Sequence, residues 1–567
     1  MGKFIHTENS FAAGVVSAEF FAHENKGALS VLENMDVLAS GAISRRRGLA
    51  RVAEIPNSAA LIPFSAGENE NYLLAVSAGH IRIFNNGTQV QNLIVPWNDD
   101  AIAGLQYAQR FDTMIFVHPD FQPQVLQKSG ASFSLTPFDF SVNDDQSRNI
   151  PFIKFDDARG IKLTVATNSN GNNFATITAS KNFWTPENQN GRLFFMDRQW
   201  VVHEVLSETQ IVAVSNTGYT LPGAQISDWA EAAFGARRGW PCSITFHQNR
   251  LVFGGSKSHP AGVWMSCVGD HHNFDVGTGL DDQAIFLTLL SSSRQQVCTV
   301  VSSDNLQILT SVGEWAVSNK PLTPASVNIK QHTAIGSVSS RYLQPQNCDG
   351  ATVFVSRSEQ DIRELALDEL GENYNANDLC ARAKHLMRGP VDIAYNDLTH
   401  QLFVVMEQGE MAVLNKNPTT GISAWGIYKT AGNFESIAIM NSETYVSVRR
   451  GDKFFIEKFS DGALLDSNEF EFSYAAAGVP MLSGNHAPKK IRIKKFALRV
   501  LNTSAVFING LRAPIPNEFV ETGFSGDLSI PSLGTEGDTV KPLWKISGGE
   551  SLPATVLSIT TEGWYLI

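Results

Sequence analysis

The sequence predicts an all-β protein, and two observations lead to that prediction. Charged residues make up only 18% of the chain, while glycine (44) and phenylalanine (35) are plentiful. Sparse charge with many glycines and aromatics is typical of β-structure. The second observation is a hairpin pattern that occurs four times: an apolar stretch, a four-residue turn with glycine in third place, and another apolar stretch. The turn glycines are Gly79, Gly313, Gly409 and Gly451, and glycine accepts the positive φ that tight hairpin turns require.

The spacing of these hairpins predicts a β-propeller. Weaker hairpins surround residues 118–120, 254–262 and 357–361, between the four clear ones. From Gly313 onward the turn centres are about 40–50 residues apart, the length of a four-stranded propeller blade. Six or seven such units fit in the chain. Helical periodicity is scarce, and the best candidate for a helix is residues 377–387.

One interval is too long for a single blade and predicts an inserted domain. About 135 residues separate the turn at Pro119 from that at Gly254, roughly 90 more than one blade spacing. The predicted organisation is an N-terminal segment with the first blades (1–134), an inserted β-rich domain (135–235), the remaining blades (236–460) and a C-terminal β-domain (461–567). The inserted domain has a hairpin of its own, formed by residues 161–165 and 174–178.

Charge and cysteine content restrict the classes of function. A net charge of −12 argues against a protein that holds nucleic acid by neutralising phosphates, although a conduit that nucleic acid slides through without sticking would suit acidic walls. The cysteines are widely spaced, without a C-x-x-C pair, which predicts reduced thiols and folding in a cytoplasm. We expect neither a signal peptide nor a membrane segment. The five cysteines are Cys242, Cys267, Cys298, Cys348 and Cys380.

Several short motifs resemble those of one protein family. Residues 240–255 read Trp-Pro-Cys-Ser-Ile-Thr-Phe-His-Gln-Asn-Arg-Leu-Val-Phe-Gly-Gly, and Gly-Glu-Trp at 313–315 and Ala-Trp-Gly at 424–426 follow. With residues 41–48 as an opening motif and 552–557 as a closing one, the sequence resembles the nozzle proteins of short-tailed bacteriophages, also called tail tubular protein B. The similarity extends nearly from end to end, and each motif is short.

The resemblance implies a virion structural protein of the podovirus type and not an enzyme. It implies a homo-hexameric β-propeller ring below the portal and the tail adaptor protein, with tail fibres or a tail tip as further partners. Phage DNA would pass transiently through the lumen during DNA ejection, no cofactor is implied, and the protein would be made in the host cytoplasm and reside in the virion tail. Six copies at −12 each would give the ring a charge of about −72, which would repel phosphate. The chain is shorter than the largest members, so fibre-docking or tip domains are in doubt.

Two basic islands and one loop are the candidate sites. The islands are predicted to contact a neighbouring subunit, the adaptor or DNA, with a solvated strand face as the alternative. Lys490, Arg492 and Lys494 are expected to share one strand face. The loop is a candidate gate in the lumen because it is rich in glycine and asparagine. The islands are Arg45, Arg46 and Arg47, and Lys489, Lys490, Arg492, Lys494 and Lys495; the loop is Asn168, Ser169, Asn170, Gly171, Asn172 and Asn173.

No residue is assigned to catalysis, a cofactor or a metal. Residues 270–275 (Asp-His-His-Asn-Phe-Asp) resemble a metal site, but adjacent histidines on extended chain point to opposite faces, so a polar loop is favoured over a calcium site. Arg450-Gly451-Asp452 spells a receptor-binding tripeptide but lies on a turn that needs its glycine. Two alternatives remain. A glycan-active propeller enzyme predicts two carboxylates about 5–10 Å apart at the propeller mouth, and a cellular interaction platform predicts blade-wise repeat signatures.

Overall fold

The computed structural model confirms the predicted fold class. It describes residues 2–20, 27–167, 173–318, 320–368, 370–371, 373–461, 469–474, 490–532, 536–537, 544–549 and 552–566. Within these ranges strands dominate, and the α-helix Asp99–Ile102 is a single turn capped by Asn98, whose Oδ1 accepts from the Ala101 amide at 3.0 Å. The 3-10 turns are Ala18–Phe20, Asp156–Ala158, Pro186–Asn188, Lys384–Leu386 and Asn517–Phe519.

Seven four-stranded antiparallel blades form a propeller; six of them are separate sheets, and blade 6 is one end of a ten-stranded sheet. Blade 1 is Ala60–Gly67, Glu70–Ser77, His80–Asn85 and Thr88–Ile94; blade 2 is Gln106–Arg110, Thr113–His118, Phe121–Ser129 and Ser132–Pro137; blade 3 is Ser243–His247, Arg250–Gly254, Gly262–Met265 and Ile285–Thr288; blade 4 is Val297–Ser302, Leu306–Thr310, Glu314–Val317 and Ile329–Thr333; blade 5 is Gln346–Cys348, Ala351–Val355, Ile362–Leu367 and Tyr374–Asp378; blade 6 is Pro390–Asn396, Gln401–Met406, Met411–Asn417 and Ile422–Tyr428. Blade 7 is Asn433–Met440, Glu443–Arg450 and Lys453–Ser460 with Gly48–Ile55 as its fourth strand.

The blades close into a ring because a hydrophobic cluster fills each space between neighbours. The second strand of a blade is covered on both faces, so its residues do not alternate between apolar and polar. Leu306–Thr310 and Gln401–Met406, for example, are buried throughout. The last space, between blades 7 and 1, is filled by Ile456, Tyr445 and Leu73 with their neighbours. The ring is therefore continuous, and its core is a series of inter-blade layers.

The four glycine turns occupy equivalent positions, between the second and third strands of blades 1, 4, 6 and 7. They lie on the face where the chain passes from blade to blade. In six blades a carbonyl at this turn accepts a hydrogen bond of 2.8–3.0 Å from an amide of the chain that leads to or begins the next blade. The turn thus fastens its blade to the next one. The carbonyls belong to Gly79, Pro119, Pro260, Thr310, Ile362 and Gly409, and the amides to Val95, Trp240, Val297, Ser337, Leu379 and Phe434, in that order.

The glycines at these turns serve two different constraints. Gly79, Gly409 and Gly451 have φ of 73°, 86° and 62°, as the hairpin pattern predicts. Gly313 lies outside this region, and its constraint is space, since a Cβ there would be 2.5 Å from the carbonyl oxygen of Thr333. Gly409 combines both constraints, because its Cβ would also lie 2.5 Å from Asn433 of the next blade.

The inserted domain lies between blades 2 and 3 as one seven-stranded sheet with its own core. Arg238, which is buried, holds it to the propeller. The Arg238 guanidinium donates to both carboxylate oxygens of Asp157 at 3.0 Å, pairs with Glu231, and lies 4.0 Å from the ring of Phe155. Its strands are Phe152–Ile153, Leu163–Thr167, Phe174–Ala179, Arg192–Phe195, Arg198–Val205, Gln210–Ser215 and Ala230–Ala232.

Both ends of the chain build the remaining module, a sandwich of two sheets. One sheet continues blade 6 outward, because Gly14–Val15 and Ala28–Glu33 pair with its last strand. Residues 2–20 and 27–45, which the sequence analysis grouped with the first blades, therefore belong to the same module as the described residues from 469 onward; we call it the terminal module. The remaining strands of that sheet are Phe470–Tyr474, Phe507–Ile508, Leu511–Arg512 and Lys545–Gly548; the facing sheet is Gly2–Glu8, Met35–Val37, Ile43–Arg45, Lys490–Thr503, Phe524–Pro531, Glu536–Gly537 and Thr555–Leu566.

The predicted helix over residues 377–387 is wrong. The fourth strand of blade 5 runs through Asp378, and only the 3-10 turn Lys384–Leu386 follows. Cys380, Ala383 and Leu386 are buried, and they produce a helix-like spacing because a compact connector packs them between blades 5 and 6.

Exchanging the turn glycines separates the two constraints. We expect Gly451→Ala to cost about 1–2 kcal/mol, because only the left-handed backbone is penalised and the space around Gly451 is open. Gly409→Ala should cost clearly more, because its Cβ also collides with Asn433 of blade 7. Urea unfolding of both variants beside the parent measures the difference, and equal losses would contradict the role of Gly409 in fastening blade 6 to blade 7.

Candidate functional site

The first basic island lies inside the joint between the terminal module and the propeller. Arg46 is 4% exposed. Its guanidinium donates to Oδ1 of Asn34 at 2.9 Å and to the carbonyl oxygens of Arg47 and Lys429 at 2.8 Å, and it lies over the ring of Tyr428. The predicted contact of Arg46 with a partner or DNA is therefore wrong, because the side chain is enclosed within the chain.

The two neighbouring arginines are half-buried. Arg45 Nη1 donates to the Leu552 carbonyl at 2.6 Å, which ties the opening motif to the closing one. For Arg47 a contact with a partner stays a prediction. Near them the half-buried Asp36 accepts from Tyr428 and, at 2.7 Å, from Gln401, and the loss of solvation raises its pKa to about 6.

The second basic island has the predicted strand geometry where the structure describes it. Arg492 and Lys494 are exposed, with the buried Ile493 between them, so they share the solvent face of the strand Lys490–Thr503. Lys495 is half-buried and follows an irregularity in the pairing. Lys489 and the side chain of Lys490 lie outside the described part of the chain.

The candidate gate loop falls almost wholly outside the described residues. Only Asn173 of residues 168–173 is described, and its carbonyl accepts from the Ser215 amide at 2.9 Å. The prediction of a gate there stays a prediction.

The two histidines of the metal-like segment contact different neighbours. A ring nitrogen of His271 lies 2.6 Å from Nη1 of Arg110. His272 places Nδ1 2.6 Å from the Asp139 carbonyl and stacks on Phe138 with ring centroids 4.7 Å apart. Burial lowers the pKa of both imidazoles. Within the described ranges no group of three or more His, Cys, Asp or Glu side chains could hold a metal ion.

The Arg-Gly-Asp tripeptide begins with an arginine that is used inside blade 7. Arg450 donates to both carboxylate oxygens of Glu457 at 2.8 and 2.6 Å and to the Ala431 carbonyl at 2.8 Å. The Glu457 side chain is fully buried. The turn is therefore held by an internal ion pair, which favours the structural interpretation of the tripeptide.

A site that sequence analysis missed is the centre of the propeller. A cavity of about 990 Å³ lies among the first strands of blades 1, 2, 5, 6 and 7. Tyr107, Tyr342, Asp392, Tyr395 and Glu435 line it. These residues come from three blades and one connector, so no local spacing in the sequence predicts the site.

The connector between blades 4 and 5 crosses this central space. The amide of Tyr342 donates to the Ala103 carbonyl at 2.7 Å, and Ala103 belongs to the connector between blades 1 and 2, across the ring. Arg341 and Tyr342 also line a second cavity of about 660 Å³ on the other side of the connector. There Gln106 Nε2 of blade 2 donates to the Cys298 carbonyl of blade 4 at 2.7 Å. The protein's own chain therefore divides the propeller axis into two cavities.

Among the groups that line the central cavity, Asp392 is a carboxyl group whose pKa is raised. Its Oδ2 accepts from the Ser436 hydroxyl at 2.6 Å and the Ile437 amide at 2.9 Å. Burial outweighs these hydrogen bonds and raises the pKa to about 6. Burial, with the charges of Tyr342 and Asp392, also raises the pKa of Tyr107. The cavity therefore contains a carboxyl group that changes charge near neutral pH.

The five cysteines are free thiols. Cys348 and Cys380 are buried and the other three are half-buried. Burial raises the pKa of Cys242, Cys298 and Cys348 to about 12, so these thiols stay protonated at neutral pH. In the described part of the chain there is no helix with the length and apolar character of a membrane span.

No family model matches the sequence, and no curated protein is similar to it. Among solved structures, the chain is similar to the Neurospora crassa Pan2 WD40 domain (7% identity, 74% of this chain and 98% of that one, TM-score 0.28). It is also similar to YCF48 (10%, 72% and 96%, TM-score 0.33) and to the computationally designed Ika8 protein (9%, 72% and 99%, TM-score 0.34). With TM-scores this low, the propeller rests on the sheet pairing described above.

The protonation of Asp392 should make stability depend on pH. Because its folded pKa is about 6, above the unfolded value of 3.8, the stabilisation from its proton is complete below pH 3.8 and is lost as the pH rises through 6. The shift corresponds to at most about 3 kcal/mol. Urea unfolding from pH 3.5 to 7.5 should show a smaller fall in stability for Asp392→Asn than for the parent.

Asp397→Asn is the matched control, because Asp397 lines the same cavity and is exposed. It should keep the slope of the parent. Asp36, whose pKa is also raised to about 6, contributes in the same pH window in all three proteins, so the difference between their curves isolates Asp392. Parallel curves for Asp392→Asn and the parent would contradict the assignment.

Proposed function

We propose that this chain is a structural protein of a short phage tail. It would form a nozzle ring below the portal and adaptor, six copies to a ring, that retains DNA in the virion and conducts it out during infection. The protein would act by assembly and not by catalysis. The resemblance of its motifs to tail nozzle proteins suggests the role, and the positions of those motifs support it.

The observation that carries the proposal is the contact between the two ends of the resemblance. The opening motif pairs with the closing motif, with Ile43 opposite Val556 and Ser44 opposite Thr555. The hydroxyls of Ser44 and Thr555 lie 3.0 Å apart, and the Arg45 amide donates to the Ala554 carbonyl at 2.9 Å. Motifs about 500 residues apart in sequence thus form one joint.

The internal motifs also lie where one part of the protein meets another. Trp240 follows the inserted domain, and its amide donates to Pro119 of blade 2 at 3.0 Å. Trp425 lies in the last strand of blade 6 beside Gly14, and its indole donates to the Leu379 carbonyl at 2.8 Å. Motifs placed at joints favour a scaffold, since a catalytic family would be expected to share residues that converge on one pocket.

The closed propeller axis limits the path that DNA would take through such a ring. A duplex does not pass through a channel that the connector of Arg341 and Tyr342 crosses. The lumen of a nozzle would therefore be the space enclosed by several copies, with each propeller forming part of its wall. Radially closed sheets suit such a wall, because they leave few free strand edges.

Electron microscopy of the full-length protein tests the proposal, both alone and mixed with the adaptor and with virions. We expect a sixfold ring whose axial lumen lies between copies, and we expect the protein among the proteins of purified virions by mass spectrometry. A monomer under every condition that depolymerises host surface glycan would contradict the proposal and favour an enzyme that uses the central cavity.

A further inference from the structure

In the terminal module, the sheet that contains Gly2–Glu8, Lys490–Thr503 and Thr555–Leu566 presents a basic face with exposed apolar side chains. Trp564 lies between Lys3 on one neighbouring strand and Arg492 on the other, directly opposite both. Cross-strand partners point to the same side of a sheet. The next row on this side contains Ile5 and Lys495 on either side of Glu562. We call Lys3, Ile5, Trp564, Arg492, Lys494 and Lys495 the basic face.

Most side chains of the basic face are exposed to solvent, and only Lys495 is half-buried. Ile5 is 59% exposed and Trp564 39%, which is unusual for large apolar residues at adjacent positions. Its lysines and arginine form no ion pair within the described part of the chain. Glu562 lies in the same row, and Glu536 pairs in register with Arg492, so positively charged residues outnumber the acidic ones.

A loop of blade 3 has the complementary character. Residues 266–284 join its third and fourth strands, and four exposed aspartates lie there without an ion pair among the described residues: Asp270, Asp275, Asp281 and Asp282. Exposed apolar side chains accompany them, namely Val268 (43%), Val276 (48%) and Leu280 (61%). We call this segment the acidic loop.

The two surfaces lie on different sides of the molecule. The terminal module extends outward from blade 6, and the acidic loop belongs to blade 3, three blades away in a ring of seven. The basic face of one copy therefore cannot fold back onto its own acidic loop, whereas it can reach the loop of another copy. Contacts between different surfaces of identical chains propagate head to tail, and they form a ring when the rotation closes.

We propose that the basic face of one copy binds the acidic loop of the next copy. Copies with a net charge of −12 repel each other at long range, so association needs a local region of opposite charge. Lys3, Arg492 and Lys494 provide it opposite the four aspartates. Trp564 and Ile5 supply apolar anchors for Val276 and Leu280. The use of this contact in a tail ring rests on the proposed function; the contact itself does not.

A charge exchange tests the contact in the full-length protein. One variant reverses the basic face (Arg492→Glu with Lys494→Glu), and a second reverses the acidic loop (Asp281→Lys with Asp282→Lys). We expect each alone to weaken self-association on the order of tenfold or more, because like charges then face each other. An equimolar mixture of the two should associate again, since each reversed surface then meets its complement. Analytical ultracentrifugation over a concentration series measures all three samples.

The matched control reverses two exposed lysines of the inserted domain, Lys162→Glu with Lys181→Glu, and should associate like the parent. Circular dichroism melting confirms that each variant is folded; if the basic-face variant unfolds, the acidic-loop variant and the parent's loss of association at high salt still decide the matter. A parent oligomer that neither reversal disturbs would overturn this contact but leave the nozzle proposal standing.

Two further outcomes would overturn the inference in different ways. A parent that stays monomeric at every concentration, alone and with the adaptor, would overturn both the contact and the nozzle ring. If the parent instead binds a single-stranded oligonucleotide and the basic-face variant loses that binding without any change in association, the basic face recognises phosphate and bases, as lysine, arginine and an exposed tryptophan can do.

Discussion

The pairing of the strand Gly48–Ile55 with Lys453–Ser460 is the constraint on which the rest of the structure depends. These strands are about 400 residues apart, and their ladder places Leu49 opposite Phe459 and Ala53 opposite Ile456. Without it, blade 7 would end in an open strand edge, and the layer between blades 7 and 1 would lose Ile55. Because each inter-blade layer is shared by two sheets, one open layer weakens both. Closure therefore makes the seven blades a single cooperative unit.

The terminal module depends on the same closure through a buried polar joint. Arg46 follows directly from the terminal module and precedes the closing strand, and its guanidinium reaches Asn34 and the backbone carbonyl of Lys429 at the end of blade 6. A buried guanidinium is stable only when its donors are satisfied. Three parts of the chain must therefore be in place together, which fixes the module against the propeller and explains why an arginine stands at position 46.

The hairpins formed by the second and third strands of the blades could be predicted from the sequence, and most other elements could not. The reasons are physical. The second strand of a blade can be predicted because it is covered on both faces, and a constrained turn, such as that around Gly409, marks its junction with the third strand. Outer strands such as Thr88–Ile94 are largely exposed, so their sequences are mostly polar and do not show the apolar pattern of a strand. The closing strand and the pairing of Ser44 with Thr555 join distant residues, so no local pattern encodes them.

The candidate sites show the same limit. Lys494 could be placed on a strand face from alternation alone. The burial of Arg46 could not be inferred, because it depends on Tyr428 and Phe459 from two different blades. The connector across the propeller axis was also invisible, since its hydrogen bond to Ala103 joins segments about 240 residues apart. Composition and spacing therefore indicate whether a strand residue is buried or exposed. A site depends on residues far apart in sequence, which come together only when the propeller ring closes.

The pairing of Gly2–Glu8 with Thr555–Leu566 has a consequence for synthesis on the ribosome. The two strands are separated by more than 500 residues of sequence, so the first leaves the ribosome long before its partner. At about 5–20 residues per second, Gly48–Ile55 waits for several hundred residues before its partner in blade 7 is made, and Gly2–Glu8 waits longer still. The sheet that bears Lys3, Trp564 and Arg492 therefore forms only after Thr555–Leu566 has been made. A nascent chain that stops before Thr555 lacks this surface.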